Sequence, residues 1–333
     1  MIVLGIETSC DETSAAVIHD GFLKSNVVLS QEIHSRYGGV VPEIASREHE
    51  QKLTSIIQLA LERASISKAD LDAIAVTYGA GLMGALLVGL NVAKGLSIGL
   101  NIPFLGVNHM EGHLYANMID NPKIEYPFLC MLVSGGHTQI WRVDSFGKYT
   151  LFSNTVDDAA GEAFDKGARI LGLAYPGGPE IEREAIGGNP DRYKFPRPRL
   201  KRSEYDFSFS GLKTAILYTC KKMTSDELLK NRSDIAASYQ EAIIDTLLQK
   251  LRKVHQKTNI SKVSVAGGVA ANSRFREKAS DLSEMINLDI HFPKIELCTD
   301  NAAMIAMAGY ERLLSGEESL LDLPAIPNLS LAR

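Results

Sequence analysis

The chain has 333 residues, 45% of them apolar, which is enough to bury a sizeable core and favours two domains over one. No uninterrupted run of about 18 apolar residues occurs, and Met1 to Glu7 lacks the basic and apolar stretches of a secretory leader, so a cytoplasmic chain with no membrane partner is expected. The net charge of -5 argues against an unaided grip on nucleic acid, and the four separated cysteines, Cys10, Cys130, Cys220 and Cys298, exclude a Cys-x-x-Cys zinc or redox motif.

In chain order, Met1 to Thr8 reads as a strand, Ser9 to Glu12 as a polar turn and Thr13 to Ile18 as a second strand before the turn at His19, Asp20 and Gly21. Leu53, Ile56, Ile57, Ala60, Leu61 and Ala64 fall at helical spacing, and Ala73 to Thr77 is a short buried-strand run. From Leu82 to Gly99, Gly84, Ala85, Gly89, Ala93 and Gly95 interleave with leucines. Because small residues weaken an isolated helix, this density points to close packing, in the core or against a partner.

A second strand, turn and strand begin at Phe128: the run to Val133, the glycines Gly135 and Gly136, then Thr138 to Val143 and a turn near Gly147. Strand, loop and helix recur at Lys262 to Ala266, Gly267-Gly268, and Val269 onward. Asp300 is placed to N-cap the apolar helix Ala302 to Leu314. Asp191 to Gly211 breaks the pattern and reads as a surface insertion, and the tail with Pro324 and Pro327 reads as irregular. The alternation gives an α/β protein, and the repeated hairpin points to two related halves.

Asn108-His109-Met110-Glu111-Gly112-His113 puts two imidazoles at i and i+4, on one face if His109 to Met118 is helical. That is metal-ligand spacing, although ordinary packing gives it too. Glu111 stands two residues after the first histidine, unlike the glutamate of the His-Glu-x-x-His peptidase signature. Asp300 is a candidate third ligand, since a carboxylate completes many two-histidine sites. Double glycines at Gly135-Gly136, Gly177-Gly178 and Gly267-Gly268 allow a ligand to approach the backbone, and Asn272 could reach a sugar or base edge. Any one such loop would also suit a plain turn. Three of them suggest a nucleotide between the two halves.

Taken together, Gly5 to Thr13, Asn108 to His113, Leu132 to Gly136, Asp157 to Lys166, Asp206 to Thr214, Gly267 to Asn272 and Thr299 to Ala302 resemble, in order and over nearly the whole chain, the TsaD family of tRNA threonylcarbamoyltransferases. The resemblance implies the two-domain fold of actin, Hsp70 and sugar kinases, with duplicated ribonuclease-H-like halves. The expected division is 1–120 and 121–333, with an insertion near 180–235 and a last helix returning to the N-terminal half. It also implies His109, His113 and Asp300 as ligands of one divalent metal, Fe2+ favoured and Zn2+ possible. Leu132, Val133, Ser134, Gly135, Gly136, Asp165, Gly178, Glu182 and Asn272 would lie around a bound threonylcarbamoyl adenylate, with Glu182 standing where several relatives have an aspartate.

The implied reaction is attack on the carbamoyl carbon by N6 of the tRNA adenosine 3′-adjacent to the anticodon, in tRNAs reading codons that begin with A, with AMP leaving. Asp11 and Glu12 are the acidic candidates for taking the proton. Bacterial relatives work with a paralogue, TsaB, and an ATPase, TsaE. The small-residue helix from Leu82 and the helix from Leu53 to Ala64 would suit such a contact. Arg192, Lys194, Arg197, Arg199, Lys201 and Arg202, with Tyr193 and Phe195, form either a solvated basic loop or an RNA contact. A kinase of the same fold, a metallopeptidase and a non-catalytic nucleotide-binding scaffold are the competing readings; the first two and the last predict, respectively, phosphate transfer, peptide cleavage and no reaction.

Overall fold

The structure is a computed structural model and describes residues 1–119, 124–198, 200 and 203–331. In chain order its main elements are β1 (Ile2–Glu7), β2 (Glu12–His19), β3 (Phe22–Ser30), α1 (Pro42–Ala64), β4 (Ala73–Gly79), α2 (Met83–Leu100), β5 (Phe104–Asn108) and α3 (His109–Tyr115). There follow β6 (Phe128–Val133), β7 (Thr138–Ser145), β8 (Lys148–Asn154), α4 (Ala160–Ile170), α5 (Gly177–Glu184), α6 (Ser210–Lys221) and α7 (Ser225–Thr258). The last are β9 (Lys262–Ala266), α8 (Ser273–Ile286), β10 (Asp289–His291) and α9 (Ala302–Leu314).

Two compact units result: Met1–Lys123 with Thr299–Arg333, and Ile124–Cys298. Each has a five-stranded sheet, ordered β3-β2-β1-β4-β5 in the first and β10-β9-β6-β7-β8 in the second. In both, the first three strands pair antiparallel, and the first strand then pairs parallel with one that arrives after helices. The same meander followed by parallel strands, made twice, is the α/β duplication expected of an actin-like fold.

The first unit shows why these residues take these elements. β1, β4 and β5 are apolar along nearly their whole length because both faces of the sheet are covered, the usual state of parallel strands. Leu4, Ile6, Val17, Ile74 and Val76 meet Leu53, Ile57 and Leu61 of α1 and Leu90 of α2 in one core. Pro42 opens α1 at its first turn, where a missing N–H costs nothing, and Ser65 closes it in the left-handed conformation. By length and composition alone α2 could cross a membrane, but Ala85, Leu86, Gly89, Leu90 and Ala93 are buried where it packs on β4 and α1. The close packing read from its small residues is therefore within the core at Ala85, Gly89 and Ala93, while Met83, Leu87 and Ile98 remain exposed. α9 returns to this unit and lies against β1, β2 and β4.

In the second unit Leu129, Met131, Ile140, Phe164, Tyr239, Ile243, Leu247 and Phe275 form the core. Thr224 and Glu227 cap α7 reciprocally, each side chain taking the other's backbone N–H. Of the expected insertion from Asp191 to Gly211, the described residues up to Phe209 hold neither helix nor strand, whereas Ser210 and Gly211 already belong to α6, and the stretch is not simply a surface insertion. Phe195, Phe207 and Phe209 are buried in the core, and Phe207 bridges to Thr155 at the end of β8. Prolines and basic residues dominate its composition, so its three buried aromatics were masked in the linear pattern.

Candidate functional site

β5 runs directly into α3, and Asn108 makes the junction: its side chain accepts a hydrogen bond from the Met110 N–H at 2.9 Å. The helix that follows places His109 and His113 on one face, ring centroids 4.8 Å apart and nearly perpendicular. Asp300 arrives from the start of α9. Its Oδ1 lies 3.1 Å from His113 Nε2 and 3.5 Å from His109 Nε2. One donor atom from each of the three residues falls within 4.8 Å of the others. Tetrahedral bonds of 2.0–2.1 Å would set donors roughly 3.4 Å apart, which the two Asp300 distances match, so the three residues could hold a divalent first-row ion with positions left open.

Asp300 is not the cap of α9; Asn301 is, accepting from the Met304 N–H at 3.1 Å. The cap's neighbour is thereby turned toward the histidines. Glu111 is buried away from them and pairs with Arg312 at 3.4 Å, so it stands in no position to serve as a peptidase base.

Several groups that sequence reasoning assigned no role complete the surroundings. Glu7 is fully buried at the end of β1; its Oε2 lies 3.3 Å from His109 Nδ1 and accepts from the Thr77 hydroxyl, while Oε1 accepts from the Ser9 N–H at 2.5 Å. Ser9 Oγ is 3.1 Å from the same His109 nitrogen. Burial disfavours a charged imidazole, but the Asp300 and Glu7 carboxylates outweigh it and hold His109 up at about 9. Such a surplus of negative charge suits a cation. Burial first, then the nearby Asp300 and Asp11 carboxylates, push Glu12 well above the usual carboxylate range. Asp11 ends the β1–β2 turn and Glu12 begins β2; the turn's carbonyls are pinned, Ser9 by the Leu82 N–H, Cys10 by His49 and Asp11 by the Gln31 N–H.

The second unit gathers the glycine loops. The β6–β7 turn closes on itself between Ser134 and His137, and the first turn of α4 packs onto it, the Gly161 N–H donating to the Ser134 carbonyl at 3.2 Å. A side chain at Gly135 or Gly136 would meet open space. Gly267, by contrast, has φ +91° and lies against the Val133 carbonyl, so the β9 turn needs a glycine to pass the end of β6. Leu132 and Val133 are buried in the sheet and offer a ligand only their backbone.

Asp165 on α4 accepts from the Gly177 N–H at 2.7 Å, and burial raises its carboxyl. A side chain at Gly178 would again meet open space. Glu182 reaches the start of α8, accepting from the Ser273 N–H at 2.8 Å and from its hydroxyl. Asn272 caps α8 through the Phe275 N–H at 2.9 Å and donates to Gln240 at 2.7 Å. Glu182 and Asn272 are therefore adjacent, 3.4 Å apart.

Of the basic stretch, Arg192 and Lys194 are exposed, Arg197 is spent on Asp245 at 2.6 Å, and Arg199, Lys201 and Arg202 lie outside the described residues.

A family model described as tRNA N6-adenosine threonylcarbamoyltransferase, TsaD, matches residues 23–307. Proteins bearing that name from Thermosipho africanus and Kosmotoga olearia are 53% and 52% identical over 332 residues, covering 99% of this chain and 100% and 99% of theirs. The one from Desulfitobacterium hafniense is 50% identical, covering 99% of this chain and 97% of its own. Among solved structures, HypF from T.kodakarensis is similar with TM-score 0.64 at 14% identity, covering 95% of this chain and 48% of that one. The activator of the 2-hydroxyisocaproyl-CoA dehydratase from Clostridium difficile gives 0.53 at 13%, covering 96% and 99%. The structural likenesses carry the fold alone. With a matching family model and half-identical relatives along its full length, the chain belongs to the TsaD family of tRNA N6-adenosine threonylcarbamoyltransferases, transferases that modify tRNA.

Proposed function

We propose that the chain takes the threonylcarbamoyl group from threonylcarbamoyl adenylate and passes it to N6 of the tRNA adenosine 3′-adjacent to the anticodon, with His109, His113 and Asp300 holding one divalent metal ion. The convergence of their three donor atoms carries this reading. When bound, the ion would supply Lewis-acid polarisation of the carbamoyl carbonyl. Two imidazoles and one carboxylate suit Fe2+, the ion favoured by the resemblance, and Zn2+ equally.

The chain's own residues do the rest. Backbone N–H groups of the Ser134-Gly135-Gly136 turn and the start of α5 at Gly177-Gly178 bind the adenylate, with Asp165, Glu182 and Asn272 orienting it. As N6 attacks, an N–C bond forms, the carbamoyl–phosphate C–O bond breaks and AMP takes the electron pair. The proton leaving N6 goes to the Asp11-Glu12 turn, where burial and the neighbouring carboxylates raise Glu12 above the usual carboxylate range and so make its carboxylate a stronger base than an ordinary glutamate. Work in the cytoplasm with a TsaB-like paralogue and a TsaE-like ATPase belongs to the same reading.

The test mixes the chain and these partners with threonylcarbamoyl adenylate and unmodified tRNA and measures the mass of the target adenosine. A gain of one threonylcarbamoyl group is expected, lost in His113→Ala. Phosphate transfer from ATP, peptide cleavage, or no reaction with every component present would each overturn it.

A further inference from the structure

Glu7 is a buried group beside the three proposed ligands that the reaction above does not use. It sits at 0% exposure on β1, with both oxygens of its carboxylate engaged. The Ser9 N–H serves Oε1, and the Thr77 hydroxyl serves Oε2, leaving Oε2 also facing His109 Nδ1 at 3.3 Å. His109 Nε2 is the nitrogen turned to Asp300.

We infer that Glu7 is a positioning residue for the metal centre: it holds the His109 proton on Nδ1 and so keeps the Nε2 lone pair directed at the ion. This rests on the reading of His109, His113 and Asp300 as metal ligands.

Proton placement on His109 decides which nitrogen can ligate. A neutral imidazole carries one N–H, and the hydrogen bond at one nitrogen decides which nitrogen is left to ligate. A carboxylate can only accept, so beside Glu7 the N–H belongs at Nδ1. Ser9 Oγ, also 3.1 Å from Nδ1, can donate or accept and does not by itself choose. A buried carboxylate behind a ligating imidazole also raises its basicity, and loss of such a partner typically costs 10–100-fold in metal affinity.

Glutamine at this position has the same shape and the opposite effect. The Ser9 backbone N–H cannot become an acceptor, so the glutamine carbonyl turns to it and the amide NH2 faces Thr77 and His109. The Thr77 hydroxyl rotates to accept. His109 then accepts at Nδ1 and its proton moves to Nε2, the nitrogen the ion needs.

The experiment uses the full chain, stripped and titrated with Zn2+ against a competing chelator at fixed pH, for the parent, Glu7→Gln, Thr77→Val and His113→Ala. Two-bond 15N–1H correlation of the Zn2+-loaded and stripped proteins reports the His109 tautomer. The expected results are a folded Glu7→Gln with about 10–100-fold weaker Zn2+ affinity, a His109 proton moved from Nδ1 to Nε2 in the stripped variant above its titration, and a smaller loss in Thr77→Val. A folded Glu7→Gln that binds Zn2+ within about twofold of the parent, with the proton still on Nδ1, overturns the inference. Should Glu7→Gln not fold, Thr77→Val decides: unchanged affinity together with an unchanged Nδ1–H resonance in that variant overturns it. If His113→Ala also binds Zn2+ like the parent, the metal reading itself has failed; if only Glu7→Gln is silent, the metal reading stands and Glu7 is merely structural.

Discussion

His113 carries the sharpest consequence at the scale of single residues. It is almost completely buried, its Nε2 faces Asp300, and its Nδ1 has no hydrogen-bond partner among the described residues. Truncation therefore removes a ligand while breaking only one short polar contact of the metal-free chain. His113→Ala is expected to lose metal affinity by more than the roughly 10–100-fold that outer partners command, with a melting temperature within about 4 °C of the parent, the effect of about 1 kcal/mol in a chain of this size. Metal content after dialysis and a thermal melt check both halves. The glycines give a contrasting pair. A side chain at Gly136 meets nothing, so Gly136→Val should leave the melt unchanged while weakening adenylate binding in calorimetry. Gly267→Ala should do the reverse, costing more than about 1 kcal/mol of stability because a left-handed φ and the Val133 carbonyl both oppose a side chain. Unchanged donor affinity in folded Gly136→Val would reduce that turn to structure.

Among the elements, α8 and α7 are tied by a charged cluster. Glu241 binds Arg274 at 2.9 Å and Lys278, and Lys278 also binds Asp245, which holds Arg197. Burial alone would raise the Glu241 carboxyl, but Arg274 and Lys278 overcome it and hold it below the usual glutamate range. A group depressed in the folded state adds stability above its unfolded pKa, and that contribution disappears as pH falls through the folded value. Between about pH 5 and pH 3 the parent should therefore lose stability faster than Glu241→Gln, which is less stable at pH 7 and has a flatter profile. Denaturant melts across that range read the slopes; parallel slopes would show that the cluster contributes nothing. At the other unit's helix, Asn301→Ala should cost about 1 kcal/mol as a lost cap and, because Asp300 precedes it, should also weaken metal binding.

The element patterns also show what could be read in advance. β1, β2, β6, β7 and β9 were legible because buried strands bounded by glycine or polar turns leave a local signature. The i and i+4 spacing of His109 and His113 put them on one face only if the segment was helical, and α3 supplies that helix. β3 and β8 were not, since each is exposed on one side and mixes lysine, serine and asparagine with its apolar residues. α7 gave no clear signal either: its first third is polar and exposed, and its buried half includes Gln240, Glu241 and Lys250.

For the whole molecule, charge sets the expectation. With a net charge of -5, Arg197 engaged by Asp245, and Arg192 and Lys194 the exposed members of the described basic stretch, electrostatic grip on tRNA by the lone chain should be weak and steeply salt-dependent. At near-physiological salt, turnover by the isolated chain should be poor and rescued by the proposed partners. Equal multiple turnover without them would refute the requirement. Reversing Arg192 and Lys194 to glutamate should weaken tRNA binding without touching the melt, whereas Arg197→Glu should lower the melt through the Asp245 cluster. If tRNA affinity survives the double reversal, the stretch is a solvated loop.

The sequence by itself determined the α/β duplication, the pair of histidines and the order of the glycine turns, because each is written in short-range periodicity or in residue types with special backbone freedom. Asp300 was named in advance by the family resemblance, but only the tertiary structure brings it to those histidines, since it lies 187 residues beyond His113 and reaches it through α9 returning to the first sheet. The tertiary structure alone decided that Asn301 caps that helix while Asp300 does not, that three aromatics of the 191–209 stretch are core, and that Glu7 stands behind His109. Hydrogen bonds and burial join residues by distance in space, and no local pattern along the chain encodes which distant partner will arrive.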